Sequence, residues 1–161
     1  MTGAVNRVLV VGGGFSGMSA AIELRKRGIS VDLVEIDKGW RSYGAGITLG
    51  GATFRAFATL GILDAFMERG SATDGLHLQL ADGTQIATLP TPRVAGDDIP
   101  GSGGIMRPVL AGILAEATRA AGTEVLLGVT FETIPQDEDG VTVALSNGDT
   151  RRYDLEVGAD G

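Results

Sequence analysis

A glycine-rich turn between a short apolar segment and a helical pattern constrains this chain more than any other feature. The segment Arg7–Val11 is typical of a buried parallel strand, and apolar residues over 18–24 recur on one face of a helix. Between them, Gly12, Gly14 and Gly17 form the pattern GxGxxG. The first glycine permits a tight turn, the second lets the backbone approach a pyrophosphate, and the third allows helix and strand to pack closely. The pattern predicts a dinucleotide-binding turn.

An acidic residue completes this unit. A second strand, expected over 30–35, ends at Glu35, about twenty residues after the glycines. Its carboxylate is placed to accept hydrogen bonds from both hydroxyls of an adenosine ribose, and its charge disfavours a 2′-phosphate. The helix start, with Ser16 among its first N–H groups, presents donors and a partial positive charge to phosphates. A structural glycine turn beside a surface Glu is the less favoured interpretation.

The segments that follow favour FAD over NAD. An NAD-binding domain would continue soon with a second helix and a third strand. Here a Gly/Arg loop over 39–51, a helix over 53–68 broken near Gly61 and a hairpin over 76–89 intervene. We therefore expect an α/β fold: a Rossmann-like FAD-binding domain of the glutathione-reductase type, in three layers with a parallel sheet and a β-meander. The beginning of a substrate domain is expected to be interleaved with it.

Three segments are expected in this organisation. Residues 1–70 hold the FAD-binding βαβ unit and the following helix, 71–104 hold a partial substrate-domain hairpin and a loop from 90 onward, and 105–161 continue the FAD-binding domain. The last segment is predicted to contain a helix from Pro108, a short strand, and a meander with a turn at Asn147-Gly148. His77, the only histidine, alternates with leucines in the hairpin, which predicts a solvent-facing side chain.

Charge and composition exclude several classes of protein. The net charge is −7 and the largest basic cluster is the triplet at 25–27, so neither a nucleic acid nor a membrane is expected as a partner. The absence of Cys excludes disulfides, thiolate metal sites and the flavin disulfide reductases. No His/Asp/Glu cluster has the spacing of metal ligands, so no metal is expected. The early apolar run is too short for a signal peptide or a membrane span, which makes a cytoplasmic location the default.

Five motifs occur in a fixed order along the chain. They are residues 10–17 with Glu35, residues 41–49 with Arg41 before Gly-Ala-Gly-Ile, residues 60–64 (LGILD), Arg107 with Leu110 and Leu114, and residues 158–161 (GADG). In this order the chain resembles the FAD-dependent aromatic hydroxylases, the monooxygenase family typified by p-hydroxybenzoate hydroxylase, over nearly all of its length. Any one motif is weak, whereas five in the correct order are specific.

The resemblance implies further cofactor contacts. Arg41 and Arg107 would lie against the FAD pyrophosphate and ribityl region, the segment at Phe131 would pass the adenine, and Asp160 would lie near the flavin and the nicotinamide groove. The alternatives are surface arginines, a core Phe and a turn Asp. Trp40 and Tyr43, in the Gly-rich loop, either touch the cofactor or simply pack, and the sequence does not separate these readings.

The implied function is monooxygenation of an aromatic or polycyclic small molecule with bound FAD, NAD(P)H as a transient co-substrate, and O₂. No residue stands out as a catalytic acid, base or nucleophile. The alternatives are an FAD-dependent reductase or dehydrogenase, and a non-catalytic chain that needs a partner. A strand followed by Gly-Ala-Asp-Gly leads us to expect a truncated, split or processed chain. A second chain, either the missing C-terminal half or another copy, is the expected partner.

Overall fold

The structure, a computed structural model, describes residues 4–161. The chain divides into two compact units. The first comprises the residues up to Ser42 together with Leu114–Gly161, and the second comprises Tyr43–Ile113. The first unit is therefore discontinuous in sequence. The three-segment organisation expected from the sequence stays a prediction.

Helices and strands follow one another along the described residues in this order: β1 (Arg7–Val11), α1 (Phe15–Lys26), β2 (Ser30–Glu35), β3 (Gly46–Gly50), α2 (Gly51–Leu60), α3 (Leu63–Arg69), β4 (Ser71–Thr73), β5 (Gly75–Gln79), β6 (Gln85–Pro90), β7 (Ser102–Met106), α4 (Arg107–Ala120), β8 (Glu124–Leu127), β9 (Phe131–Thr133), β10 (Gln136–Asp137), β11 (Gly140–Leu145), β12 (Thr150–Tyr153) and β13 (Leu155–Gly158).

The first unit is built on a parallel sheet with the strand order β13-β1-β2-β8. β1 pairs in parallel with both β13 and β2, and α1 connects β1 to β2, which confirms the expected βαβ unit. β1 and β2 are buried over most of their length because both faces of the sheet are covered there. Among the described residues, β13, which carries Glu156, is an outer strand of this sheet.

Different elements cover the two faces of this sheet. α1 packs on one face, where Gly17 lies against Val10, and its buried residues include Met18 and Ile22. The meander β9–β12 covers the other face through a common apolar core. The members of that core are Leu9, Val11, Val34, Val129, Val143, Leu145 and Tyr153. The alternation of β1 residues between the two faces produces this layering.

A buried carboxylate joins the sheet to the meander. Asp32, in the middle of β2, is only 4% exposed. Its Oδ2 accepts hydrogen bonds from the Tyr153 hydroxyl at 2.7 Å, from Arg151 at 2.9 Å and from Arg7 at 2.7 Å. Burial raises the pKa of Asp32, but these three hydrogen bonds outweigh burial and hold the pKa below its usual value. Arg151 also contacts Glu124 at 2.9 Å, so one guanidinium bridges β12, β2 and β8.

The second unit contains a three-stranded antiparallel sheet, β3-β7-β4, with α2 and α3. Phe54, Phe57 and Phe66 form an aromatic cluster with ring centroids 5.0–6.3 Å apart. The helix break expected at Gly61 is confirmed, since that residue ends α2 in the left-handed region. The expectation that 39–51 and 90–104 are wholly loops was wrong, because β3 and β7 form there and pair with each other.

The β5–β6 hairpin exposes apolar side chains. The hairpin itself and the exposed side chain of His77 confirm two expectations from the sequence. Its exposed apolar residues are Leu76, Leu78, Ile86 and Leu89, all between 45% and 62% exposed. In the described part of the chain, no helix is long and apolar enough to cross a membrane.

Candidate functional site

The glycine-rich turn occupies the carboxyl end of β1, where the backbone of another segment meets it. Gly12 has φ +103°, in the region that side chains avoid, and its N–H donates to the Val34 carbonyl oxygen at 2.9 Å. A Cβ on Gly12 would lie 2.5 Å from the Ala159 carbonyl oxygen and 2.8 Å from the Asp160 Cα. The Ala159 N–H donates to the Val11 carbonyl oxygen at 2.7 Å. The GADG segment is therefore built against the turn.

The other two glycines of the motif differ in their surroundings. A Cβ on Gly17 would overlap the Gly12 carbonyl oxygen, so this position holds α1 close to the turn. Gly14 is the N-cap of α1, and a Cβ there would meet nothing within 4 Å. No side chain caps this helix N-terminus and its first turn carries no acidic residue. Two glycines of the motif are thus explained by protein packing, and Gly14 is not.

A cavity of about 410 Å³ opens beside Gly14. Its lining comes from the ends of β1 and β2, from the turn after β8 and from the GADG segment: Val11, Gly12, Gly14, Val34, Glu35, Ile36, Val129, Thr130, Ala159 and Asp160. Ile36 is 73% exposed, although it is apolar. The cavity lies at the carboxyl ends of parallel strands, where α/β sheets bind their ligands.

Glu35 lies at the end of β2 and lines the cavity with both oxygens in use. Oε2 accepts the Gly13 N–H at 2.8 Å, and Oε1 accepts the Asp37 N–H at 2.7 Å. A carboxylate offers roughly four lone-pair sites, so two remain for further donors. The two backbone hydrogen bonds fix the orientation of the carboxylate beside the turn.

Arg41 is held by a neighbouring acid. Its Nε and Nη2 atoms donate to the two carboxylate oxygens of Asp37, each at 3.0 Å. Asp37 also accepts the N–H groups of Gly39 and Arg41, at 2.9 Å and 3.1 Å. These contacts, led by the Arg41 side chain, hold the pKa of Asp37 far below its usual value. The expected contact of Arg41 with a pyrophosphate stays a prediction.

Arg107 belongs to the second unit, where it joins two of the sequence motifs. It begins α4, and its N–H donates to the Ala45 carbonyl oxygen at 3.1 Å. Gly44 has φ +114°, and a Cβ there would lie 3.1 Å from the Arg107 Cδ. Gly46 pairs with Met106 across the antiparallel ladder. The Gly-Ala-Gly-Ile and Arg-x-x-Leu motifs are therefore structural neighbours, and the predicted FAD contact of Arg107 stays a prediction.

The remaining candidates divide between the lining of the cavity and its surroundings. Asp160 lines the cavity, whereas Ser16 is exposed in the first turn of α1. Phe131 begins β9 and is 37% exposed, and the cavity is lined instead by Thr130 and Val129 just before it. The cavity lining also includes Ile36, which the sequence did not indicate as a site residue. Its place directly after Glu35 is the signal that would have identified it.

The chemistry of this site fits the adenosine diphosphate half of FAD. Open space at Gly14, an uncapped helix start and a fixed carboxylate supply what a diphosphate and a ribose require. Among residues 4–161, no group of three or more His, Asp or Glu is placed to hold a metal ion.

The parallel sheet with its glycine turn has the architecture of a dinucleotide-binding α/β domain, and comparison with known families identifies the class. Residues 6–161 match the model of the FAD binding domain, and the chain belongs to this family. The resemblance to FAD-dependent monooxygenases is confirmed in the relatives.

Two enzymes are each 33% identical to this chain and align with 96% of it. They are 3-hydroxybenzoate 6-hydroxylase of Polaromonas naphthalenivorans, of which the chain covers 39%, and rifampicin monooxygenase of Streptomyces venezuelae, of which it covers 31%. A crystal structure of a 2-methyl-3-hydroxypyridine-5-carboxylic acid oxygenase mutant superposes with a TM-score of 0.77 at 28% identity, over 98% of this chain and 40% of that one. The chain thus spans less than half the length of these relatives.

Proposed function

We propose that this chain binds FAD in the cavity of the first unit, as part of a flavoprotein monooxygenase that hydroxylates an aromatic or polycyclic substrate with NAD(P)H and O₂. The observation that carries the proposal is the contrast within the glycine motif. Backbone atoms fill the space at Gly12 and Gly17, but the space at Gly14 is open, and Gly14 lines the cavity. A glycine without a packing reason at this point of the turn is accounted for by a ligand that approaches the backbone.

Each part of the adenosine diphosphate has a counterpart in the site. The N–H groups and dipole at the start of α1, with Ser16 nearby, bind the phosphates. The two free lone-pair sites of Glu35 accept the ribose hydroxyls, and its charge excludes a 2′-phosphate. The family resemblance adds the cofactor contacts of Arg41, Arg107, Phe131 and Asp160 to the proposal.

The described residues bind and orient the cofactor rather than carry out acid–base chemistry. When bound, FAD supplies the electron transfer and the oxygen chemistry of the reaction. Glu35 and the turn fix its adenosine end, and this anchors the rest of the cofactor relative to the protein. NAD(P)H acts as a transient co-substrate. The names of the relatives, a 3-hydroxybenzoate hydroxylase and a rifampicin monooxygenase, support a cyclic, aromatic substrate class.

The architecture belongs to the same proposal. We assign the discontinuous first unit to an FAD-binding domain of the glutathione-reductase type, and the hairpin of the second unit to the beginning of a substrate domain. The exposed apolar residues of that hairpin favour association with further polypeptide, either the remainder of the flavoprotein or a second copy. Sedimentation that finds a stable, monodisperse monomer would contradict this association.

FAD titration of a matched pair of glycine variants tests the binding site. Gly14→Ala places a methyl group in the open space, and we expect FAD affinity to fall by about tenfold or more because a phosphate needs that space. Gly50→Ala is the control, since Gly50 is also a helix N-cap with nothing within 4 Å of its Cβ position but lies outside the cavity lining. Equal FAD affinity of both variants would refute the site.

Oxygen-dependent product formation tests the reaction. The FAD-loaded protein, with its partner where one is required, should convert an aromatic acid to a hydroxylated product while it consumes NAD(P)H and O₂. Oxidation of NAD(P)H that produces only peroxide, or that requires another acceptor, would identify a reductase instead. A colourless protein that does not take up FAD would contradict the whole proposal.

A further inference from the structure

We propose that Trp40 is a positioning residue that orients the backbone N–H of Gly14 and thereby sets the affinity of the glycine turn for a diphosphate. The inference rests on the proposed FAD site, since it concerns the same turn. Trp40 lies in the loop after β2 and is not part of the cavity lining. Its effect on the ligand is therefore indirect and passes through Gly13.

The indole and Glu35 hold the two sides of Gly13. The Trp40 Nε1–H donates to the Gly13 carbonyl oxygen at 2.7 Å, and the Gly13 N–H donates to Glu35 Oε2 at 2.8 Å. A Cβ on Gly13 would overlap the indole Nε1 and lie 3.0 Å from that carboxylate oxygen. Gly13 must be glycine because the indole is packed against it, which gives this variable position of the GxGxxG pattern a structural explanation.

Because the peptide bond is planar, the hydrogen bond to the Gly13 carbonyl also fixes the direction of the Gly14 N–H. In a trans peptide, the carbonyl of one residue and the N–H of the next point in opposite directions. The structure contains no cis peptide bond among the described residues. When Trp40 holds the Gly13 carbonyl, the Gly14 N–H points away from the indole. Gly14 lines the cavity, so a rotation of this peptide would remove a donor from a bound phosphate.

The backbone of Trp40 is strained in the way expected of a constrained functional contact. Trp40 has φ +46°, and it is the only residue other than glycine with positive φ in the described chain. This conformation is unfavourable for an L-residue and persists only where surrounding contacts impose it. The Trp40 N–H donates to the Asp37 carbonyl oxygen at 3.1 Å, and the Gly39 N–H donates to the Asp37 carboxylate at 2.9 Å. Asp37 therefore holds the backbone on the N-terminal side of Trp40.

A cation holds the indole in place. The guanidinium carbon of Arg119, in the last turn of α4, lies 5.1 Å from the centroid of the Trp40 ring. A cation at this distance from a Trp ring is attracted to its face. Trp40 is thus fixed by its backbone turn, by Arg119 and by the carbonyl that it holds, as a positioning residue requires.

Trp40→Phe tests the proposal, because it keeps an aromatic ring beside Arg119 and removes only the N–H donor. We expect ADP and FAD to bind about 3- to 10-fold more weakly, the effect of one hydrogen bond. Adenosine, which lacks the diphosphate, should compete for the site with unchanged affinity. A residue with a merely structural role would affect ADP and adenosine alike. Arg119→Gln removes the cation from the indole face but leaves the Nε1–H donor in place, so it should weaken ADP binding in the same direction as Trp40→Phe but by less.

Intrinsic fluorescence gives a second test on the unmodified chain. Trp40 is the only tryptophan, so its emission should change on addition of ADP with a half-saturation equal to the calorimetric dissociation constant. This measurement decides the question if Trp40→Phe does not fold. Unchanged emission at saturating ADP, or a Trp40→Phe variant that binds ADP as tightly as the wild type, would overturn the role of Trp40 alone. Failure of the wild type to bind either FAD or ADP would instead refute the proposed function.

Discussion

Asp32→Asn is expected to destabilise the first unit without touching the nucleotide site. The substitution keeps the shape and one acceptor oxygen but removes the buried charge. The hydrogen bonds from Tyr153 and Arg151 then have a neutral acceptor, and we expect each of them to stabilise the fold less, by about 0.5–1.5 kcal/mol. Arg7 adds little because its side chain is 43% exposed. We therefore expect a loss of about 2 kcal/mol in the free energy of unfolding, or roughly 4–8 °C in Tm.

Urea unfolding followed by Trp40 emission measures this loss, since Trp40 lies in the same unit as Asp32. Asp149→Asn is the matched control. Its carboxylate contacts Arg151 at 3.2 Å but is 49% exposed, so its removal should cost well under about 1 kcal/mol. Equal effects of the two substitutions, or a more stable Asp32→Asn protein, would refute the reasoning.

The difference between wild type and Asp32→Asn should depend on pH in one direction. The pKa of Asp32 lies below its usual value in the folded protein, so as the pH falls the unfolded chain takes up this proton first. The stabilisation is complete above about pH 5 and is lost as the pH falls through the unfolded value of roughly 4 toward the folded one. If the difference in the free energy of unfolding stayed constant from pH 7 to the lowest pH at which both proteins fold, Asp32 would not carry the charge assigned to it.

Three further substitutions have expected outcomes. Gly17→Ala should lower the free energy of unfolding by about 1–3 kcal/mol in urea melts, because the added Cβ would overlap the Gly12 carbonyl oxygen. Gly112→Ala, inside α4 with open space around it, is the control and should be neutral or stabilising. Phe66→Ala should destabilise the second unit by about 3–5 kcal/mol in thermal melts, since its ring is fully buried against Phe54. The Arg152 side chain holds the pKa of Asp137 at about 2, and Arg152→Gln should raise it toward about 3.9 in an NMR titration.

Local sequence pattern predicted the parts of the fold that depend on local physics. The glycine turn, Glu35 at the end of β2 and the meander turn at Asn147-Gly148 each follow from the spacing of residues a few positions apart. β3 and β7 were missed because Gly46, Gly103 and their neighbours carry few side chains from which to read alternation. Their strand character comes from pairing with each other across some 50 intervening residues, which no local window contains.

The candidate site shows the same limit at the level of single residues. The sequence indicated the segment near Phe131, but only the turn geometry after β8 shows that Thr130 and Val129 form the wall. The sequence did not decide whether Trp40 contacts the cofactor or packs against the protein. Its role depends on one backbone angle and one hydrogen bond, which the sequence does not reveal. The Arg41–Asp37 pair likewise arises in an irregular loop, where a separation of four residues does not by itself predict contact.

The discontinuity of the first unit also sets the order of events while the chain is being made. β1 needs β13 as a neighbour, and the Arg7 N–H bonds the Asp154 carboxylate, which is 147 residues further along. At synthesis rates of about 5–20 residues per second, β1 waits roughly 7–30 s on the ribosome before that partner exists. Tyr43–Ile113 makes its own internal contacts and can fold during this interval. A nascent chain of this kind is therefore exposed to mispairing at one strand edge until β13 emerges, and chaperone dependence should concentrate there.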